Sequence, residues 1–242
     1  MSEVLLSVVV PAYNEERRLP KTLREINNYL KKKDFSFEIV VVSDGSTDRT
    51  CQVVENLKSE VENLRLICEK ENRGKGYGVK RGMLASQGKF RLFTDADNST
   101  PISQIEKFWP EFEKGADIVI GSRDLKGAVL DPPQSLFRRF VGEVFKYLRK
   151  IIVGLWEIED TQCGFKCFRG DAAEKIFPKC KIERFAFDPE ILLIAKKLGY
   201  KIKEVPVYWK NEPHSKVKIK SMFNMAKDLI KIRLNEIKGI YG

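Results

Sequence analysis

The sequence predicts an α/β chain built on a mainly parallel, doubly wound sheet with flanking helices. Two observations predict it. Short runs of β-branched and aliphatic residues recur without alternation, as in strands buried on both faces, and the segments between them carry apolar residues at helical spacing. A chain of 242 residues, 43% hydrophobic and 32% charged, suffices for one large domain with a buried core and leaves little for a second.

Leu5 to Val10 is the first such run, stopped by Pro11. Leu19, Leu23, Ile26 and Leu30 follow at helical spacing, and Phe37 to Val42 is the second strand, completing a strand-helix-strand unit. Ser46 or Thr47 is placed to cap a helix to about Leu57, Leu64 to Cys68 reads as a third strand, Tyr77 to Ser86 as a helix, and Phe90 to Thr94 as the fourth strand. Ala116 to Ile120 is a further strand, after which regularity weakens around Gly127 to Pro133. Residues 136–156 form a basic amphipathic helix, with Phe137, Phe140, Val144, Tyr147, Leu148 and Ile151 interleaved by Arg138, Arg139, Lys146, Arg149 and Lys150. Cys163 to Phe168 and Tyr200 to Trp209 read as strands flanking a helix over Pro189 to Leu198, and Lys216 to Ile240 as a long basic amphipathic helix. The division expected is a catalytic domain over 1–215 and a helical extension over 216–242.

The net charge of +10 favours an anionic partner: nucleic acid, an anionic membrane surface or a phosphorylated substrate. The start lacks a basic segment followed by an apolar stretch, and no run of eighteen apolar residues occurs, so a cytoplasmic chain that lies on a membrane without crossing it is expected. Cys51, Cys68, Cys163, Cys167 and Cys180 are odd in number, scattered and without a Cys-x-x-Cys pair, and are read as reduced structural thiols.

Ligands of a doubly wound sheet gather beyond the carboxyl ends of its strands. There Asp95-Ala96-Asp97 follows the fourth strand. Alternate residues of an extended chain point the same way, so both carboxylates can address one ion, and hard oxygen donors select Mg²⁺ or Mn²⁺. Such an ion bridging a diphosphate would neutralise the leaving group. The motif is short, and a solvated acidic turn reads as well. Asp44 ends the second strand, where it can accept hydrogen bonds from a base or ribose or cap a helix, and Asp48 carries the same ambiguity. Asn72 to Gly78 sets Arg73 and Lys75 among glycines, where they can approach phosphate oxygens. This stretch satisfies neither the dinucleotide fingerprint nor the Walker pattern, which disfavours dehydrogenase and kinase chemistry. With His214 the only histidine, no histidine-based metal cluster can form.

Pro11-Ala12-Tyr13-Asn14-Glu15-Glu16, Ser43-Asp44-Gly45-Ser46-Thr47-Asp48 and Asp95-Ala96-Asp97, each after its strand, together resemble family 2 glycosyltransferases. Gly121-Ser122-Arg123 and Asp160-Thr161-Gln162-Cys163-Gly164-Phe165-Lys166 are similar to the polyprenyl-phosphate branch, dolichyl-phosphate glucosyltransferases above all and mannose synthases less closely. The resemblance spans nearly the whole chain and implies a GT-A nucleotide-diphospho-sugar transferase fold. It implies Pro11, Ala12, Tyr13, Glu15, Asp44, Lys75, Asp95 and Ala96 around the donor nucleotide, and Asp95, Asp97 and Gln162 at the metal. Arg123, Arg138 or Arg139, and Lys216 would hold the acceptor phosphate, although His214 stands where relatives often have glycine and Gly142 or Glu143 where they often have a small hydroxyl residue.

The activity implied is inverting transfer of a hexose, glucose from UDP-glucose before mannose from GDP-mannose, to dolichyl or polyprenyl phosphate. A phosphate acceptor is already anionic at neutral pH, so Asp97, Gln162 and Arg123 would act by positioning and charge, and arginine suits bidentate phosphate binding. A sugar hydroxyl acceptor would instead need a carboxylate base, for which Asp160 is the candidate. The amphipathic helices fit a membrane surface, with attachment there or through a membrane partner subunit. A catalytically silent nucleotide-sugar sensor, which would bind donor and never turn it over, is one rival, and two more stand beside this reading. One is the same chemistry on a polysaccharide, glycolipid or protein; the other is a non-enzymatic protein binding nucleic acid or another anion, which no zinc finger or aromatic RNA-binding motif supports.

Overall fold

The structure, a computed structural model, describes residues 3–133, 136–210 and 219–242, with backbone alone at 136–141 and 219–223. Its elements run β1 (Leu6–Ala12), α1 (Leu19–Leu30), β2 (Phe37–Asp44), α2 (Thr50–Asn56), β3 (Leu64–Glu69), α3 (Lys75–Ala85), β4 (Phe90–Thr94), α4 (Trp109–Glu113), β5 (Ile118–Ser122), β6 (Val129–Asp131), α5 (Leu136–Val153), β7 (Phe165–Arg169), α6 (Gly170–Ile176), α7 (Phe187–Lys197), β8 (Ile202–Pro206), β9 (Tyr208–Lys210) and α8 (Ile219–Ile237). The main sheet has the order β3-β2-β1-β4-β7-β5-β8, and β6 pairs with β9 beside it.

Both faces of the sheet are covered, which explains the unbroken apolar runs. Along β1 and β2, Val9, Val40 and Val42 pack into one core with Met83, Phe93 and Leu192, while Val8, Val10, Ile39 and Val41 pack into the other with Leu23, Ile26 and Phe108. Helix α3 lies close against the strands: a Cβ on Gly82 would fall 2.2 Å from Val9 Cγ1. Two of the glycines read as a phosphate-approaching loop, Gly76 and Gly78, are buried residues of this helix.

Several expectations are corrected. The antiparallel strand β7 pairs with both β4 and β5 in an otherwise parallel sheet, which an apolar run buried on both faces cannot reveal. The strand read over 200–209 is two, β8 beside β5 and β9 beside β6. Helix α2 is not capped by Ser46 or Thr47; Asp48 Oδ1 accepts from the Thr50 amide at 2.9 Å. Cys51 and Cys68 are joined as a disulfide between α2 and β3, so only Cys163, Cys167 and Cys180 remain as thiols, all buried.

The described cations of the amphipathic helix α5 are engaged within the protein. In α5, Arg149 is buried and donates to the carbonyls of Leu155, Ile158 and Glu159, while Lys146 and Lys150 pair with Glu159 at 2.7 and 2.8 Å. These cations serve the protein interior and not an outer cationic face. Among its described side chains, α5 leaves Val144, Tyr147, Leu148 and Ile151 exposed beside Glu143. Helix α8 packs against α5 and places Met225, Leu229 and Ile232 in the same core as the sheet, with Tyr241 beyond it donating to Glu190 at 2.7 Å. The described part of 216–242 thus shares the hydrophobic core of the sheet.

Candidate active site

The direction of β7 gathers the site. An antiparallel strand between β4 and β5 starts at the edge where its neighbours end. The segment Asp160–Gly164 that leads into β7 therefore lies beside Asp95 and Asp97, just past β4, and beside Arg123, just past β5.

Asp95 and Asp97 form the acidic centre. Lys75 Nζ sits 2.5 Å from Asp95 Oδ1, and Asp97 Oδ1 accepts from the Ser99 amide at 3.0 Å. Burial pushes the Asp97 carboxyl up from its ordinary value, and the charge of Asp95 adds to it. Asp95 also presses on the loop before β7: a Cβ on Gly164 would lie 2.1 Å from Asp95 Oδ2, so only glycine admits the carboxylate there. The donor chemistry fits a divalent cation, since two hard carboxylates are held together against mutual repulsion. No third His, Cys, Asp or Glu joins them among the described residues. Gln162 is half-buried in the adjoining loop.

Asp160 and Arg123 form the second centre. Asp160 is buried, and its carboxylate accepts from Arg123 N at 3.0 Å, Nε at 2.7 Å and Nη2 at 2.9 Å, and from the amides of Gln162 and Cys163 at 2.9 and 3.1 Å. Burial opposes its charge, but Arg123 outweighs burial and holds the carboxyl well below the usual range. Such a carboxylate is a weak proton acceptor. The geometry therefore makes Asp160 an anchor for Arg123 and for the Gln162 loop, and gives no support to its expected role as a base. The Arg123 guanidinium also lies over Trp209, 5.4 Å from the ring centroid, so packing and a bidentate pair together fix its direction.

The nucleotide-side residues line the ends of β1 and β2. Tyr13 is exposed, while Pro11, Ala12 and Ala96 are buried. Ala96 contributes its carbonyl to Thr22 Oγ1 at 2.8 Å. Glu15 is held by Arg18 through both oxygens, at 2.7 and 2.8 Å. Asn14 takes a left-handed backbone, φ 54°, and its Oδ1 accepts from the Thr47 amide at 2.8 Å, tying the first loop to the second. Asp44 accepts from Gly74 N at 2.6 Å, Arg73 N at 3.1 Å and Asn72 Nδ2 at 3.0 Å. These bonds hold the loop that leads into α3, and burial raises the Asp44 pKa despite these donors. Of the acceptor candidates, Arg138 and Arg139 fall in the backbone-only part of α5, and Lys216 and His214 lie outside the described residues.

One pair was missed. Lys166 is fully buried in β7 and donates to Asp188 Oδ1 at 2.6 Å and Cys163 O at 2.5 Å. The signal was present: a lysine between Phe165 and Cys167 in an apolar strand needs a buried carboxylate.

Comparison with known proteins agrees with this geometry. The model of glycosyl transferase family 2 matches residues 7–177. The dolichyl-phosphate beta-glucosyltransferase ALG5A of Trichomonas vaginalis is 42% identical over 243 residues, covering 96% of this chain and 74% of its own. The dolichyl-phosphate beta-glucosyltransferase of Dictyostelium discoideum is 40% identical over 256 residues, covering 100% and 77%. Among solved structures, glucosyl-3-phosphoglycerate synthase from Mycobacterium tuberculosis, in complex with Mn²⁺, UDP and glucosyl-3-phosphoglycerate, superposes with a TM-score of 0.67 at 19% identity, covering 96% of this chain and 79% of that one. That likeness establishes the shared fold.

Proposed function

The chain belongs to glycosyl transferase family 2, and from that premise we propose that it transfers glucose from UDP-glucose to dolichyl phosphate with inversion at the anomeric carbon. The observation that carries the reading is the Arg123–Asp160 pair. A guanidinium fixed by a buried carboxylate, joined by one short loop to the acidic centre, suits an acceptor that arrives already charged. The carboxylate beside it is already engaged with Arg123 and two loop amides, which disfavours it as a base. A phosphate acceptor needs no base: its oxygen forms the bond to the anomeric carbon while the bond to the diphosphate breaks, and the departing nucleotide keeps the electron pair.

In this reading Asp95 and Asp97, with Gln162 beside them, would hold Mg²⁺ or Mn²⁺, which when bound supplies positive charge to the leaving diphosphate. Lys75 adds a cation on the same side. Asp44 and Asn14 shape the floor on which the nucleotide rests, Tyr13 offers an exposed ring beside it, and Arg123 aligns the acceptor, with Arg138 or Arg139 and Lys216 as further phosphate ligands. The names of the relatives support glucose and dolichyl phosphate. Among the described residues no helix is long and apolar enough to cross a membrane. The uncovered residues Tyr147, Leu148 and Ile151 of α5 and Ile230, Leu234 and Ile237 of α8 support a peripheral seat on the lipid surface, with or without a membrane partner subunit.

The test compares dolichyl phosphate with dolichol as acceptor, using wild type and Arg123→Ala. Product from the phosphate alone, with KM for it raised on the order of tenfold or more in the variant, is expected. Equal use of the uncharged alcohol contradicts the reading.

A further inference from the structure

Behind the acidic centre a file of charges continues from Asp95 and Lys75 into the interior, where the transfer step described above gives Asp188 and Lys166 no part. Lys166, without solvent exposure, pairs with Asp188 in the first turn of α7, itself buried. Lys75 contacts Asp95 directly and feels the charges of Asp188 and Asp97. Carboxylate and ammonium thus alternate from Asp95 through Lys75 and Asp188 to Lys166.

Lys75 is an uncomfortable member of this file. It is the first residue of α3, a helix of 11 residues, and the N-terminal end of a helix disfavours a cation. What holds it there is its direct ion pair with Asp95, Nζ to Oδ1 at 2.5 Å. Its close partner is the carboxylate that the reading above assigns to the metal. A divalent ion therefore meets the acidic centre already partly neutralised, as two carboxylates and one ammonium. A diphosphate brings a second anionic partner for that ammonium, while Asp188, held by Lys166, keeps an opposite charge behind it.

We propose that Lys75 is a tethered counter-ion of the acidic centre: its ammonium occupies Asp95 until metal and nucleotide arrive together, then turns to the diphosphate, so that the metal binds weakly alone and strongly with the donor. Lys75 is thereby a positioning residue that couples the two loading steps. The inference rests on the assignment of Asp95 and Asp97 to the metal and diphosphate.

The experiment is Mn²⁺ binding to the full chain, read from the electron paramagnetic resonance of free Mn²⁺, without nucleotide and with saturating UDP. Wild type, Lys75→Met and Lys75→Arg are compared, with folding checked by circular dichroism. Without UDP, Lys75→Met is expected to bind Mn²⁺ roughly three- to tenfold more tightly than wild type, and Lys75→Arg like wild type. With UDP that advantage disappears, and UDP itself binds the Met variant more weakly. Metal-alone affinity in folded Lys75→Met equal to or weaker than wild type overturns the proposal; should that variant fail to fold, Lys75→Gln carries the same expectation. Failure of the underlying site assignment looks different: UDP then leaves Mn²⁺ affinity of the wild type itself unchanged.

Discussion

Replacing Gly164 by alanine should disable the donor side of the site while the fold stands. The added Cβ would lie 2.1 Å from Asp95 Oδ2 and 2.4 Å from its Cγ. Unbonded carbon and oxygen need more than 3 Å or so, which requires the carboxylate to retreat by about 1 Å. Its retreat loosens the contact with Lys75 at 2.5 Å and misplaces the oxygen proposed to hold the metal. A displacement of about 1 Å in reacting geometry lowers turnover on the order of 10²-fold. The stability cost should be small by comparison, about 1 kcal/mol, because the obstacle is the end of a side chain and not backbone; that is a few degrees in Tm. Initial rates of glucose transfer to dolichyl phosphate, measured beside a thermal melt, separate the two effects. A folded Gly164→Ala enzyme with kcat/KM within about threefold of wild type would show that the placement of Asp95 against Gly164 has no bearing on the chemistry.

Other expectations follow from the same geometry. Asp160→Asn takes the charge from a buried carboxylate that holds the half-buried guanidinium of Arg123 and two loop amides, and should destabilise the fold by about 3 kcal/mol, visible in urea unfolding; a loss below about 1 kcal/mol would contradict the anchoring role. Glu159, held down to about 2 by Lys146 and Lys150, is a depressed carboxyl, so its stabilising contribution is complete above its unfolded value near ~4.3 and is lost as pH falls toward about 2. Glu159→Gln should therefore lose the part of the acid sensitivity that lies in that window, and an unaltered acid unfolding curve would argue against the pairing. Cys51→Ser opens a disulfide between residues 17 apart in sequence, worth about 3 kcal/mol by chain entropy; a Tm equal to that of oxidised wild type would count against the bond. Ile151→Glu combined with Ile237→Glu should reduce sedimentation with anionic liposomes, and undiminished binding would remove α5 and α8 from the proposed membrane seat.

The parts of this account that could be read in the sequence are those whose signal is local. Val8 to Val10 and Ile39 to Val42 are apolar on both faces because both faces are covered, so the strands and the α/β class were legible. Asp95 and Asp97 stood out because a period of two puts neighbours-but-one on one side. Strand β7 was visible as a strand but not in its direction, which depends on the path of the chain through α5. That same hidden direction is what carries Asp160 and Gly164 to Asp95 and Arg123. The facing of α5 was not legible, because a helix with cations and apolar residues on different faces does not say which face meets protein; Arg149 and Glu159 decide it here. Lys75 with Asp95, Lys166 with Asp188 and Cys51 with Cys68 are contacts between residues far apart in the chain, and no local pattern announces them.

The central claim, metal-assisted glucose transfer to a lipid phosphate, is tested most directly by incubating the enzyme with dolichyl phosphate in detergent, with labelled UDP-glucose or GDP-mannose, and with Mn²⁺ or Mg²⁺ present or chelated, beside Asp97→Ala. The account predicts labelled lipid from UDP-glucose that requires the metal and disappears in the variant. Donor hydrolysis without lipid product, or lipid product undiminished in Asp97→Ala, would contradict it.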